Sequence, residues 1–245
     1  MNRLILLLLC MGLFQACSDY STFFDSDSSD SSTGGSMARF TVKGDYLYIV
    51  DDEHLLTFDI SDSSKIDLKS CFDAAWGIET IFPTDTLLFL GSTSGMYIFS
   101  LKNPKKPSYI SAYTHVTSCD PVVVQGDFAY VTLRSDNDNC WRSVNQLEVI
   151  NISNINMPVS VATHEMVCPR GLAVSDTLLF ICDGLDLVVM TISNPLNPIE
   201  KKRYDMDGTP YDVIAKDGIL TISYSEGVSQ YSYNGDTIQW ISTVY

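Results

Sequence analysis

The chain has 245 residues, of which 45% are hydrophobic and 18% charged, with 30 acidic side chains against 15 basic ones and a formal net charge of −15. A surface this acidic repels phosphate backbones and excludes nucleic acid as an expected partner. It also repels anionic lipid headgroups, so any hold on a membrane has to come from something other than basic side chains.

In chain order, residues 1–16 come first. They carry Arg3, an apolar run from Leu4 to Leu9 that continues through Met11, Leu13 and Phe14, and no acidic residue. The run is short for a bilayer span and fits the apolar core of a secretion signal. Leu13-Phe14-Gln15-Ala16-Cys17 then resembles a bacterial lipobox. That resemblance implies that Cys17 is lipidated and becomes the mature N-terminus; an ordinary cleaved signal is the alternative. Loss of Arg3 would leave 14 basic against 30 acidic residues, a net charge of −16. Residues 17–36 contain no Lys, Arg or Pro and place Asp19, Asp25, Asp27 and Asp30 among eight serines. Such a segment buries too little apolar surface to order itself and reads as a flexible tether. Cys17-Ser18-Asp19 with the acidic run resembles the signals that send lipoproteins of the Bacteroidota to the outer face of the outer membrane, a plain solubilising spacer being the alternative.

Residues 37–245 repeat themselves five times at a period of roughly 40, the mark of a stacked or circular architecture. A turn followed by an apolar strand recurs at Asp45, Asp85, Asp127, Asp176 and Asp217, which are 40, 42, 49 and 41 positions apart. A second apolar strand running into a polar turn keeps the same beat at Leu56, Tyr97, Glu148, Val188 and Ser229. Each unit holds four short stretches rich in Val, Ile, Leu, Phe and Tyr; in the third they are Pro121–Gln125, Phe128–Arg134, Gln146–Ile152 and Pro158–His164. Near-continuous apolar runs such as Leu187-Val188-Val189-Met190 suit strands buried on both faces. The expected fold is therefore all-β: a five-bladed β-propeller with four antiparallel strands per blade. Ala38 begins a complete blade and Val244 finishes one, which leaves no strand for an overlap, so the first blade is expected to pack on the fifth. An elongated β-solenoid or a large sandwich is the competing architecture.

Pro169 to Asp183, followed by Leu185-Asp186-Leu187-Val188-Val189-Met190-Thr191-Ile192-Ser193-Asn194-Pro195-Leu196-Asn197-Pro198, resembles one LVIVD-repeat unit. Asn103 to Pro107 and Ser153 to Pro158 repeat its closing turn, while the first and fifth copies lack the prolines. The shared residues are structural, Asp and Asn capping turns and Pro starting the next outer strand. The resemblance implies a repeat-built β-propeller lipoprotein of the bacterial envelope, without an established catalytic activity.

Loops that join strand two to strand three, and strand four to the next blade, share one rim, and surface loops on a rigid scaffold are where binding is placed. The candidate binding residues on that rim are Trp76, His115, Trp141, Arg142, His164, Arg170, Asp183 and Tyr211. His115 with Cys119 and His164 with Cys168 fall at equivalent places, and two His with two Cys could hold zinc or copper; duplication of one packed blade explains them equally, and no metal is expected. Five cysteines remain after Cys10 and Cys17 are set aside. The crossing from blade three to blade four passes over the insertion that carries Cys140, which favours a Cys140–Cys168 disulfide, with Cys182 a competing partner. Closing that loop of about 28 residues would stabilise by on the order of 3 kcal/mol. The acid pairs Asp183 with Asp186 and Asp212 with Glu226 could serve a glycosidase, yet the turn alone accounts for Asp183. There is no phosphate loop, nucleophile elbow or dinucleotide fingerprint, so no cofactor is expected. The expected function is a lipid-anchored, non-catalytic binding or scaffold module for envelope glycan or protein at the outer membrane; a carbohydrate-active hydrolase on the same fold is the alternative.

Overall fold

The computed structural model describes residues 34–114, 121–135 and 144–245. Twenty strands form five separate four-stranded antiparallel sheets, each made of consecutive strands, and the described residues contain no helix. Blade 1 comprises β1 (Phe40–Lys43), β2 (Tyr46–Val50), β3 (His54–Asp62) and β4 (Lys65–Asp73). Blade 2 comprises β5 (Ile78–Pro83), β6 (Leu87–Ser92), β7 (Gly95–Ser100) and β8 (Ser108–Thr114). Blade 3 comprises β9 (Val122–Gln125), β10 (Phe128–Leu133), β11 (Gln146–Asn151) and β12 (Val159–Glu165). Blade 4 comprises β13 (Pro169–Ser175), β14 (Leu178–Asp183), β15 (Asp186–Thr191) and β16 (Ile199–Asp205). Blade 5 comprises β17 (Pro210–Lys216), β18 (Ile219–Tyr224), β19 (Gly227–Asn234) and β20 (Thr237–Val244). The expected five-bladed propeller is the fold.

The recurrent aspartates mark the tight turns between the first two strands of each blade. Asp217 and Gly218, with φ of 51° and 76°, make the two-residue turn whose twist matches the flanking strands β17 and β18. Asp176 tolerates φ of 51° in the equivalent turn of blade 4, where a β-branched residue would be strained. Side chains on the middle strands then alternate between the two faces of the sheet, and in blades 2 to 4 both faces are apolar because a blade on either side covers them.

Four apolar clusters cement neighbouring blades. Tyr48, Val50 and Leu55 of blade 1 pack on Ile81, Leu88 and Leu90 of blade 2. Phe89, Met96 and Ile98 meet Val122, Val131 and Ile150 between blades 2 and 3. Tyr130, Leu147 and Val149 meet Leu179, Ile181 and Val188 between blades 3 and 4, and Phe180, Leu187 and Val189 meet Val213, Leu220 and Ile222 between blades 4 and 5.

The expected packing of the first blade on the fifth is corrected by the structure. No buried apolar cluster joins them among the described residues, and β1 and β17 touch less than the other successive first strands do. The face of blade 1 turned away from blade 2 carries Phe40, Leu47, Ile49, Leu56, Phe58 and Leu68, with Phe40 61% and Leu68 56% exposed. The face of blade 5 turned away from blade 4 mixes Thr221, Ser223, Gln230, Ser232 and Ser242 with Ile214, Ile219, Val228 and Val244, the last two 40% and 71% exposed. Hydroxyls and amides interrupt the apolar side chains there, so no continuous apolar seam forms against blade 1.

A polar clasp links the two ends instead. Ser36 donates its hydroxyl to Asp212 of blade 5 at 2.9 Å and accepts the Leu172 amide of blade 4 at 2.8 Å. The Met37 amide reaches the other Asp212 oxygen at 3.3 Å. Ser36 is 1% exposed, so it packs with the folded body although it stands at the end of the segment read as a tether.

Candidate functional site

The inner strands β1, β5, β9 and β13 start around a central hollow of about 250 Å³, lined by Met37, Arg39, Glu79, Thr80, Pro121, Arg134, Pro169 and Arg170. It opens on the rim where strand-four connections enter each new blade. The chain has six arginines, at positions 3, 39, 134, 142, 170 and 203, and three of them line this one hollow. No lysine does.

The three arginines come from blades 1, 3 and 4. Arg39 donates Nη2 to the Ile78 carbonyl at 3.0 Å and Nε to the Glu79 carbonyl at 3.4 Å, bridging blades 1 and 2. Arg170 donates Nη1 to the Gly184 carbonyl at 3.2 Å, and its guanidinium carbon lies 5.7 Å from the centre of the Tyr211 ring. Its Nε is buried without a hydrogen-bond partner among the described residues. Its carbonyl accepts the Thr132 hydroxyl at 2.6 Å, tying blade 4 to blade 3 near Arg134. Neither Arg39 nor Arg170 forms an ion pair with a described carboxylate. Both are held in place by carbonyls, which orient the guanidinium without neutralising it.

Asp212 closes one side of the clasp. A Cβ on Gly35 or Gly171 would overlap its carboxylate, and one on Gly171 would also come within 2.6 Å of its Cα, so only glycine fits in either place. Burial pushes the Asp212 carboxyl up to about 6, against hydrogen bonds from Ser36, Met37 and Val213 that favour the charged form. Val213 supplies its amide at 3.0 Å.

The candidate rim residues separate into distinct roles. Arg170 lines the hollow and Tyr211 backs it. Trp76, in the connection from β4 to β5, is 70% exposed on the same rim. His164 lies in β12 opposite Leu147, on the outermost strand of blade 3. Asp183 is fully buried and turned away from any ligand. Its Oδ1 accepts the amides of Val167 at 2.9 Å and Cys168 at 2.7 Å, while Oδ2 accepts Arg203 Nη1 at 2.9 Å. It holds the connection between blades 3 and 4, as the turn reading implied. Arg203 also donates to Asp186 and Glu200; burial disfavours its charge, but these hydrogen bonds outweigh that and raise its pKa. Asp212 and Glu226 do not form a pair: Asp212 faces Ser36, whereas Glu226 lines a separate hollow of about 140 Å³ on blade 5 with Tyr224, Tyr231 and Trp240.

Cys17, His115, Cys140, Trp141 and Arg142 lie outside the described residues, as does the proposed Cys140–Cys168 bridge. Among the described residues Cys71, Cys168 and Cys182 carry free thiols, and no group of three or more His, Cys, Asp or Glu is arranged to hold a metal ion. Cys182 is completely buried, which pushes its thiol well above the usual range and leaves it inert. His54 is spent locally: its ring bonds Asp51 at 3.0 Å within the turn between β2 and β3, which raises its pKa.

Two of the five blades carry the family signature. The LVIVD repeat matches residues 34–74 and 169–206. These are blade 1 with its clasp segment and all four strands of blade 4. No curated protein matches the sequence. Among solved structures, the chain is similar to a functionally unknown protein from Desulfotomaculum acetoxidans, with 11% identity, a TM-score of 0.66, and coverage of 81% of this chain and 66% of that one. It is similar to the periplasmic gluconolactonase PpgL of Pseudomonas aeruginosa, with 12% identity, a TM-score of 0.63, and coverage of 82% and 67%. It is also similar to AztD from Citrobacter koseri, with 12% identity, a TM-score of 0.57, and coverage of 80% and 59%. At these identities the likeness is one of fold. This chain spans about two thirds of the length of the first two relatives and less of the third.

Proposed function

We propose that this protein is a non-catalytic binding module of the bacterial envelope, anchored at the outer membrane through lipid on Cys17, which holds envelope glycan or protein at the axial mouth of its propeller. The observation that carries the reading is the convergence of Arg39, Arg134 and Arg170, from three blades, on one hollow in a chain of net charge −15. Three guanidinium groups beside one carboxylate, Glu79, give the mouth a net positive lining on an acidic protein, which an acidic ligand would complement. Two acids on this rim have structural partners, Asp183 in Arg203 and Asp212 in Ser36, which supports the non-catalytic reading.

Mature protein applied to a glycan array and to a panel of glycosides tests the proposal. Binding without turnover, weakened by Arg170→Gln, is the expected result. Turnover that survives purification and is lost in Asp212→Asn would replace it with the hydrolase reading.

A further inference from the structure

The chemistry of the hollow narrows its ligand, and the argument rests on the reading of the axial mouth as the binding site. We infer that the hollow takes a small hydroxylated carboxylic acid of the size of one sugar unit, an acidic monosaccharide or the acidic end of a glycan.

The charge comes from guanidinium groups alone. The chain's lysines lie elsewhere, although a lysine would supply the same charge. Arginine differs in offering a planar fork that matches the two oxygens of a carboxylate. Arg170 has a buried Nε without a partner, the kind of donor left waiting for an acceptor. Its stacking on Tyr211 fixes the plane of the fork.

Glu79 and Thr80 line the same hollow. A carboxylate beside guanidinium groups would oppose a bare oxyanion, but it accepts hydrogen bonds from hydroxyls, and Thr80 can donate or accept. A ligand that presents both an acid and hydroxyl groups is complementary to both kinds of side chain in the lining. Pro121, Pro169 and Met37 provide apolar surface for the C–H face of a sugar ring. A volume of about 250 Å³ falls just below the roughly 300–1,000 Å³ of drug-sized ligand sites, and so suits one sugar unit rather than an oligosaccharide. The surrounding negative charge disfavours a long polyanion lying across the surface and leaves a single acid as the species admitted.

Isothermal titration of detergent-solubilised mature protein at fixed ionic strength tests this, with glucuronate, galacturonate, glucose and inorganic phosphate as the probes. At least one uronate is expected to bind, with glucose and phosphate each at least tenfold weaker. Arg170→Lys, which keeps the charge and removes the fork, is expected to weaken the uronate at least tenfold, as is Arg39→Gln; a thermal melt shows that each variant is folded, and Arg134→Gln substitutes for either that is not. Phosphate binding as tightly as the uronates would overturn the assignment in favour of an unselective oxyanion site. Failure of both uronates while the glycan array still reports Arg170-dependent binding would overturn it and leave the proposed function standing. Silence in both assays removes both.

Discussion

Replacing Asp212 by Asn should reverse its effect on stability between acid and neutral pH. Burial raises this carboxyl from 3.8 to about 6, so between those values the folded protein holds a proton that the unfolded chain has released. Stability contributed by the group is thus present below pH 4, lost as pH rises through 6, and absent at neutral pH. The shift corresponds to about 3 kcal/mol, trimmed to about 2 because Asp212 keeps some contact with solvent. Asn removes the titration and keeps an oxygen for Ser36 and Val213, but its amide nitrogen would face the Met37 N–H at 3.3 Å, a loss of about 1 kcal/mol. The variant should therefore be less stable than wild type by about 1 kcal/mol at pH 4 and more stable by about the same at pH 7.5. Urea unfolding at pH 4, 5, 6 and 7.5 measures the difference, and other titrating groups cancel because both proteins carry them. Thermal melts should show a swing of roughly 4–8 °C across the same range. A difference that does not change with pH would refute the reasoning.

Asp183→Ala should cost about 3–5 kcal/mol, because it leaves Arg203 without its buried partner and the Val167 and Cys168 amides without an acceptor; a loss below 1 kcal/mol by urea unfolding would contradict the structural role. Leu55 and Leu68 are both in blade 1, yet Leu55 is 1% exposed against blade 2 and Leu68 is 56% exposed at the seam. Leu55→Ala should cost about 2–5 kcal/mol and Leu68→Ala under about 0.5, and similar losses at both would show that the seam is packed after all. Metabolic labelling with a palmitate analogue should tag the wild type and not Cys17→Ala, and equal labelling of the two would remove the lipid anchor from the account.

The blades were legible in the sequence because the turn that starts each second strand repeats its chemistry. Asp176 and Asp217 adopt the left-handed conformation that Asp, Asn and Gly supply, and the strands on either side followed to within a residue or two: Phe128–Arg134 and Gln146–Ile152 were expected, and β10 and β11 end one residue earlier. What local pattern cannot show is which residues meet across the axis. Arg39, Arg134 and Arg170 stand in unrelated local contexts, and only the stacking of four blades brings them to one hollow. Arg170 and Tyr211 were singled out from the rim alone; Arg39, Arg134 and Glu79 carried no signal of their own beyond the scarcity of arginine in an acidic chain. The clasp was hidden for the opposite reason. Gly34-Gly35-Ser36 has the composition of a linker, yet Gly35 is there because a side chain would strike Asp212, and Ser36 because its hydroxyl bridges two blades. Closure of the ring was misjudged because counting strands says nothing about whether the two terminal faces match. Blade 1 offers Leu47, Ile49 and Leu56, and blade 5 answers with Thr221, Ser223 and Gln230 set among Ile214, Ile219 and Val228.

Hydrogen–deuterium exchange on the mature protein, with and without the glycan that the array selects, tests the axial binding site most directly. The account predicts slowed exchange in peptides covering residues 78–80, 121–123 and 169–172, where inner strands begin around the hollow, and no change at the opposite-rim turns around residues 84–86, 126–127 and 176–177. Protection confined to those turns, or to the exposed face of blade 1, would contradict it.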